Sequence, residues 1–314
     1  MSRRIAIVST AHVHVESYLA ILEEIQDVEV RVVETVAELR DWAPDGVIVT
    51  SENVHHRRHV EDAAAIGAHV LCEKPIATTE EDALAMIESC RAADVGLMIA
   101  FPVRFAPEVD RLEQLFVAGE LGELVSAIGV NTGRLPSERA WFSDPELSGG
   151  GALVDHIVHI ADILDEVLGL RATSVHAVSN SVLHAGRAKA GAETAALVTI
   201  EYGDGLVATI DCSWSQPDAA ALWGGLQLEV VGTSGSVWLN PFAHVLTGID
   251  AADGRATTID LGVNLDERMI GGFLESIEGR RPFEPSGEVG LRTLRIVLAA
   301  QESARTGRSV KVAP

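Results

Sequence analysis

Two stretches of this sequence carry residue types at spacings that could do chemistry: Cys72-Glu73-Lys74-Pro75, and the run from Gly149 to Asp162 that holds Asp155, His156, His159 and Asp162. A lysine directly after a short β-branched run stands at the C-terminal end of a strand, where open α/β proteins bind their ligands. The competing reading is a solvated lysine in a Lys-Pro turn. Asp155, His159 and Asp162 fall at i, i+4 and i+7, so on a helix they share a face, and a carboxylate there can orient an imidazole and raise its basicity. That is acid/base geometry, against the plainer alternative of a solvated helix surface. His156, one residue off that face, reads more readily as structural.

The elements that must position these groups follow from hydrophobic periodicity. Short β-branched runs at Ile5-Val8, Val28-Val33, Val47-Val49, His69-Cys72 and Leu97-Ala100 alternate with helical patterns near Glu16-Glu24, Val36-Trp42, His59-Ile66 and Glu80-Ala92. This is the grammar of βαβ units and a parallel sheet covered on both faces. Thr35-x-x-Glu38 and Thr78-x-x-Glu81 read as capping boxes. A further helix, Pro107 to Ala118, stops at Gly119. After Gly122 long alternating strands take over: Ala195-Tyr202 and Leu206-Ser213 form a hairpin through Gly203-Asp204-Gly205, and Leu226-Val231 and Ser236-Leu239 continue the sheet. Gly149-Leu168 reads as one helix across that sheet, with Leu153, Ile157, Ile160 and Leu164 facing the core. A last helix, about Glu288 to Arg305, presents Leu291, Leu294, Val297 and Leu298 on one face. The expected architecture is α/β: an N-terminal Rossmann-like domain over 1–120, then an α/β domain with an open, mainly antiparallel sheet over 121–314, its C-terminal helix able to pack back on the first.

Composition narrows the function classes. The chain has 314 residues, long enough for about two domains. Its 24 basic against 46 acidic side chains give a net charge of -22, which argues against nucleic acid or an anionic membrane as partner. Three cysteines at 72, 90 and 212 form no zinc or disulfide spacing, and the four apolar residues after Arg3-Arg4 are too few for a signal peptide, so a cytoplasmic protein without membrane spans is expected.

Taken in order, Asn53 and His56 after the third strand, Glu73-Lys74-Pro75, Arg104-Phe105, Gly119-Glu120-Leu121-Gly122, Gly149-Gly150-Gly151 leading to Asp155-x-x-x-His159-x-x-Asp162, and the closing Glu302-Ser303-Ala304-Arg305-x-Gly307 resemble the Gfo/Idh/MocA oxidoreductases. The resemblance runs nearly end to end. It implies an NAD- or NADP-dependent dehydrogenase or reductase acting on CH-OH groups of sugars, inositols or related polyols. It also implies a homodimer or homotetramer built through the open sheet, and a catalytic trio on Lys74, Asp155 and His159. The residue types suit that chemistry: an imidazole of pKa near about 6.5 accepts a hydroxyl proton, a carboxylate orients it, and a lysine stabilises alkoxide character. Ser9, Thr10, Ala11, His12, Glu34, Ser51, Asn53, His56, Glu73 and Lys74 are the expected cofactor contacts. Arg104, Trp141 and His156 are the expected substrate contacts, and Trp214, Trp223 and Trp238 are assigned to packing or an interface.

Two features depart from the family pattern. Ser9-Thr10-Ala11-His12-Val13-His14 replaces the glycine-rich turn that lets backbone N–H groups approach a pyrophosphate. Only about a dozen residues separate Val33 from Val47, so one β-α step is missing, with Glu34 as the single nearby acid for the adenosine ribose. A weakly held cofactor is therefore expected. Two rival readings remain: a non-catalytic sugar sensor on the same fold, and a metal-dependent hydrolase of amidohydrolase type using His12 and His14 at the end of the first strand. The chain lacks an eightfold barrel grammar, and no metal site is expected.

Overall fold

The computed structural model of the protein describes residues 2–203, 205–220, 223–249, 256–260 and 262–313. In chain order the strands and helices are β1 (Arg3–Val8), α1 (Val15–Glu24), β2 (Val28–Val33), α2 (Val36–Trp42), β3 (Gly46–Val49), α3 (His56–Ala64), β4 (His69–Cys72), α4 (Glu80–Ala92), β5 (Leu97–Ile99), α5 (Pro107–Val117), β6 (Leu124–Arg134), α6 (Pro145–Ser148), α7 (Ala152–Asp162), β7 (Ala172–Asn180), β8 (Ala195–Tyr202), β9 (Val207–Gln216), β10 (Gly224–Gly232), β11 (Ser236–Leu239), β12 (Val245–Ile249), β13 (Ala256–Asp260), α8 (Leu265–Ile277), α9 (Gly287–Thr306) and β14 (Val310–Lys311).

The chain divides into two compact units, each discontinuous in sequence. The first comprises 1–102, 138–149 and 265–295, and the second 103–137, 150–264 and 296–314. The first unit thus ends its opening segment at Pro102, not near residue 120, and recruits α6, α8 and the first half of α9 from later in the chain.

The first unit is built on five parallel strands in the order β2-β1-β3-β4-β5. Ile5, Ile7, Ile48, Leu71 and Met98 on these strands are fully buried, which is why the runs read as continuous apolar segments. The six-strand Rossmann order has a further strand outside β2; here β2 is the sheet edge, so the shortening read from the Val33-Val47 spacing is real. Strand order reverses direction at β1, which places the ligand-binding crevice of such sheets at the C-terminal ends of β1 and β3. This sheet is not an eightfold barrel, and the amidohydrolase reading falls with it.

Helix starts are partly as expected. Thr35 and Glu38 form the complete capping box on α2. On α4 the cap is one residue later: Thr79, not Thr78, accepts from the Asp82 amide, and Asp82 stands where the sequence pattern had placed Glu81. α3 begins at His56, after a 3₁₀ turn over Asn53–His55, earlier than the His59 start expected.

In the second unit a seven-stranded sheet runs β11-β10-β6-β9-β8-β7-β14, antiparallel except for the β6–β9 pair. β8 and β9 pair antiparallel as read, although Asp204 in their connection lies outside the described residues. α7 packs on this sheet so closely that a Cβ on Gly129 of β6 would meet Ile160 Cδ1 at 2.5 Å. The expected single helix to Leu168 is interrupted: α7 ends at Asp162 and a π-helical turn covers Ile163–Val167. Among the described residues no helix is long and apolar enough to cross a membrane.

Candidate functional site

The C-terminal edge of the first unit's sheet gathers residues from three strands. After β1 the chain bends at Ser9, whose φ of 72° is the left-handed conformation usually left to glycine. The turn therefore keeps a glycine-like path without the glycine. Ser9 Oγ accepts the Ala11 amide at 3.2 Å, the His12 amide bonds Thr50 O at 2.9 Å, and the His14 amide reaches His12 Nδ1 at 3.3 Å, so these N–H groups are turned into the fold. Trp141, expected at the substrate, instead donates its indole N–H to Ala11 O at 2.9 Å and stacks on Phe142, closing over the turn beside His12.

At the end of β4, Glu73 and Lys74 are both buried. Glu73 Oε1 accepts the Tyr18 hydroxyl at 2.8 Å, lies 2.8 Å from His14 Nδ1 and 3.4 Å from His12 Nδ1. Burial alone raises the Glu73 pKa, but the charges of His12, His14 and Lys74 and the His14 hydrogen bond outweigh it and hold the carboxyl well below the usual carboxylate range. The same carboxylate raises the His14 pKa against the opposing effect of burial. Burial, then Glu73, lifts the Tyr18 hydroxyl well above its ordinary value, so Tyr18 stays a donor.

His56 is fully buried and places Nδ1 3.0 Å from Pro75 O and 3.2 Å from Ile76 O. Carbonyls only accept, so Nδ1 carries the proton, and burial keeps the ring's pKa low. His56 Nδ1 is thus aimed at the backbone that follows Lys74 and positions that turn, while its Nε2 is buried without a hydrogen-bond partner among the described residues. Asn53 donates Nδ2 to Ser148 O at 2.8 Å, which ties the end of β3 to α6. Its Oδ1 is buried without a hydrogen-bond partner among the described residues. Ser51 is buried and bonds Glu52 O, whereas Thr10 and Glu34 are exposed.

In the second unit α7 presents Asp155 and His159 one turn apart. Asp155 is buried, accepts the Trp214 indole N–H at 3.1 Å, and has His156 Nε2 at 3.3 Å; His159 is partly exposed. His156 is buried, its backbone carbonyl accepting from Asn131 Nδ2 at 3.0 Å, which ties α7 to β6. Arg104 gives both arms of its guanidinium to buried Asp162, so its side chain is held by α7 before any substrate is considered. The N-terminus of α7 is capped from 42 residues away: Glu193 Oε1 accepts the amides of Gly151 at 2.8 Å and Leu153 at 3.2 Å. A Cβ on Gly151 would lie 2.0 Å from Glu193 O, which explains the glycine there. Tyr18, Trp214, Glu193 and Asp266 were not singled out as site residues from the sequence, because each joins its partner only through long-range folding.

Two family models match parts of the chain. Residues 3–101 match the oxidoreductase family NAD-binding Rossmann fold, and residues 109–238 match the GFO/IDH/MocA C-terminal domain. The 1,5-anhydro-D-fructose reductase of Ensifer adhaerens is 30% identical over 273 residues, covering 85% of this chain and 80% of its own. The chain belongs to the GFO/IDH/MocA oxidoreductase family. Another relative, D-xylose 1-dehydrogenase (NADP(+)) 2 of Haloferax volcanii, is 30% identical over 285 residues, 88% of this chain and 83% of that one. The fold also matches the crystal structure of GenD2 from gentamicin A biosynthesis in complex with NAD, with a TM-score of 0.87 at 20% identity over 100% of this chain and 97% of that chain.

The residues at the sheet edge fit a nicotinamide dinucleotide in part. The bend at Ser9, an α1 N-terminus with no side-chain cap, and the orphaned Asn53 Oδ1 are features a bound phosphate and a hydrogen-bond donor would use. The amides of Ala11, His12 and His14 are engaged within the protein and so are not offered to a pyrophosphate.

Proposed function

We propose that this protein interconverts a CH-OH carbon and a carbonyl on a sugar, inositol or related polyol, with Lys74, Asp155 and His159 acting on the substrate. The observation that carries the reading is the build of α7: a buried Asp155 fixed by Trp214, and a partly exposed His159 one turn on. His159 takes the hydroxyl proton on oxidation and returns it on reduction. Asp155 holds the helix face in register and favours the imidazolium. Lys74 donates to the substrate oxygen as charge develops there. NAD or NADP, when bound, supplies the hydride acceptor or donor. The substrate class is that named for the reductase and dehydrogenase relatives. Three free, buried cysteines favour a reducing cytoplasm.

Cofactor affinity tests the reading directly. With three turn amides engaged internally and no strand beyond β2, the adenosine and pyrophosphate ends lose binding energy, so dissociation constants for NAD+ and NADP+ weaker than low micromolar are expected, with little preference between them. Glu34→Ala raises the NAD+ constant if Glu34 reaches the ribose. Calorimetry showing no binding of either dinucleotide at millimolar concentration overturns the dehydrogenase reading in favour of the sensor.

We further propose that the open face of the seven-stranded sheet is a self-association surface. Register lines up Trp238, Glu229, Ile128, Thr209, Thr199 and His176 in one row and Gln227, Val130, Asp211, Leu197 and Val178 in the next. Trp238, Ile128, Leu197 and Val178 are all exposed large hydrophobics. Ile128→Glu combined with Trp238→Asp is expected to reduce the particle to a monomer in sedimentation analysis; a monomeric wild type sinks the proposal.

A further inference from the structure

The turn after β1 and the end of β4 bring together three groups that the oxidoreductase reading does not use as a set. His12 and His14, two apart in sequence, and Glu73, fifty-nine residues beyond His14, place one ligand atom each within 4.8 Å of one another. The geometry points to a site for one divalent transition cation of the zinc class, held by His12, His14 and Glu73. This reverses the expectation of no metal drawn from the sequence.

Distances decide the matter better than residue types. Zinc bonds of about 2.0–2.2 Å to nitrogen and oxygen make a tetrahedral edge of about 3.3–3.5 Å. The His12 Nδ1 to Glu73 Oε1 separation of 3.4 Å is already such an edge. The His14 Nδ1 to Glu73 Oε1 separation of 2.8 Å is a hydrogen bond, and it opens by roughly half an ångström once the His14 proton leaves and a cation takes its place. The rings of His12 and His14 lie 4.5 Å apart edge to face, so neither blocks the other's approach to a common centre.

A closed proton network, with His12 and His14 both facing the Glu73 carboxylate, is the competing account, and the same three atoms suit either a proton or a cation. Cation binding takes the His12 Nδ1 lone pair away from its 3.3 Å contact with the His14 amide, and the titration below decides between the two.

The surroundings have the form of a metal site's outer shell. Tyr18 donates to Glu73 Oε1, which orients the carboxylate and leaves its ligating lone pairs defined. Asp266 is fixed by the Ser17 hydroxyl at 3.2 Å on the helix that also carries Tyr18. Two imidazoles and one carboxylate select zinc and its transition-metal neighbours over magnesium. Three protein ligands leave a fourth position for water or a ligand oxygen.

The experiment titrates chelator-treated, dialysed full-length protein with Zn2+ by calorimetry and with Co2+ by visible absorption. The expected result is one ion per chain, with proton release on binding and the intense visible bands of four-coordinate cobalt. His14→Gln, at a ring that is 32% exposed and so tolerant of exchange, is expected to weaken Zn2+ binding at least about 100-fold with an unchanged circular dichroism spectrum. His12→Ala serves as the second variant. Absence of stoichiometric binding, or Zn2+ bound as tightly by both variants as by the wild type, overturns the site. Dinucleotide affinity is measured separately, so failure of this proposal and failure of the oxidoreductase reading are told apart.

Discussion

His159→Ala is expected to lower kcat on a sugar or polyol substrate by about 10²–10⁴-fold, the range for loss of a positioned acid/base group. Lys74→Ala is expected to cost about 10²–10³-fold, the range for removing a donor aimed at developing negative charge. Both losses should fall on kcat with smaller changes in KM, because the groups act most strongly where proton and hydride are in flight. The variants should fold: His159 is partly exposed on α7, and the turn carrying Lys74 is held independently by His56 through the Pro75 and Ile76 carbonyls. Trp214→Phe separates positioning from chemistry. It removes the indole N–H from Asp155 while keeping an aromatic ring in the cluster with Leu135 and Ala152, so it should shift the pH profile and reduce kcat less than His159→Ala does. Steady-state kinetics with circular dichroism checks all three, and a His159→Ala enzyme within threefold of wild type removes the residue from the mechanism.

How much of this was legible in the sequence depended on the range of the interactions involved. β1, β4, β8 and β11 stand out because β-branched or alternating residues fill them and the burial they need is set within the strand. β6 does not stand out: Gly129, Asn131, Thr132 and Gly133 interrupt its apolar pattern, and the glycine at 129 makes sense only with Ile160 packed on it. The π turn at Ile163–Val167 is invisible to periodicity because Ile163 and Leu164 continue the core stripe of α7 without a break. Lys74, Asp155 and His159 could be found by type and spacing. Their supports could not, since Trp214 and Glu193 reach α7 from 59 and 42 residues away. His12 and His14 were conspicuous as a pair, but that they converge on Glu73 follows from β1 and β4 both flanking β3 in one parallel sheet.

The Arg104–Asp162 pair gives the largest expected effect on stability. Asp162 has 1% of its side chain exposed, so its carboxylate is disfavoured there by lost hydration. Arg104 offsets that cost: Nε bonds Oδ2 at 2.9 Å while a terminal nitrogen meets Oδ1, the bidentate geometry that lysine cannot reproduce. The pair also fastens the turn Pro102–Phe105 to the helix that carries Asp155 and His159. Arg104→Met keeps most of the side-chain volume and deprives a buried anion of its guanidinium, so the folded second unit is expected to lose about 3–5 kcal/mol of stability. Arg104→Lys should recover only part of that loss. The double variant Arg104→Met/Asp162→Leu should recover most of it, because removing both charges also removes their desolvation cost. Urea denaturation followed by intrinsic tryptophan fluorescence measures the series. A loss below 1 kcal/mol for Arg104→Met, or a double variant less stable than either single one, would show that the pair is a surface-like contact and that α7 is anchored elsewhere.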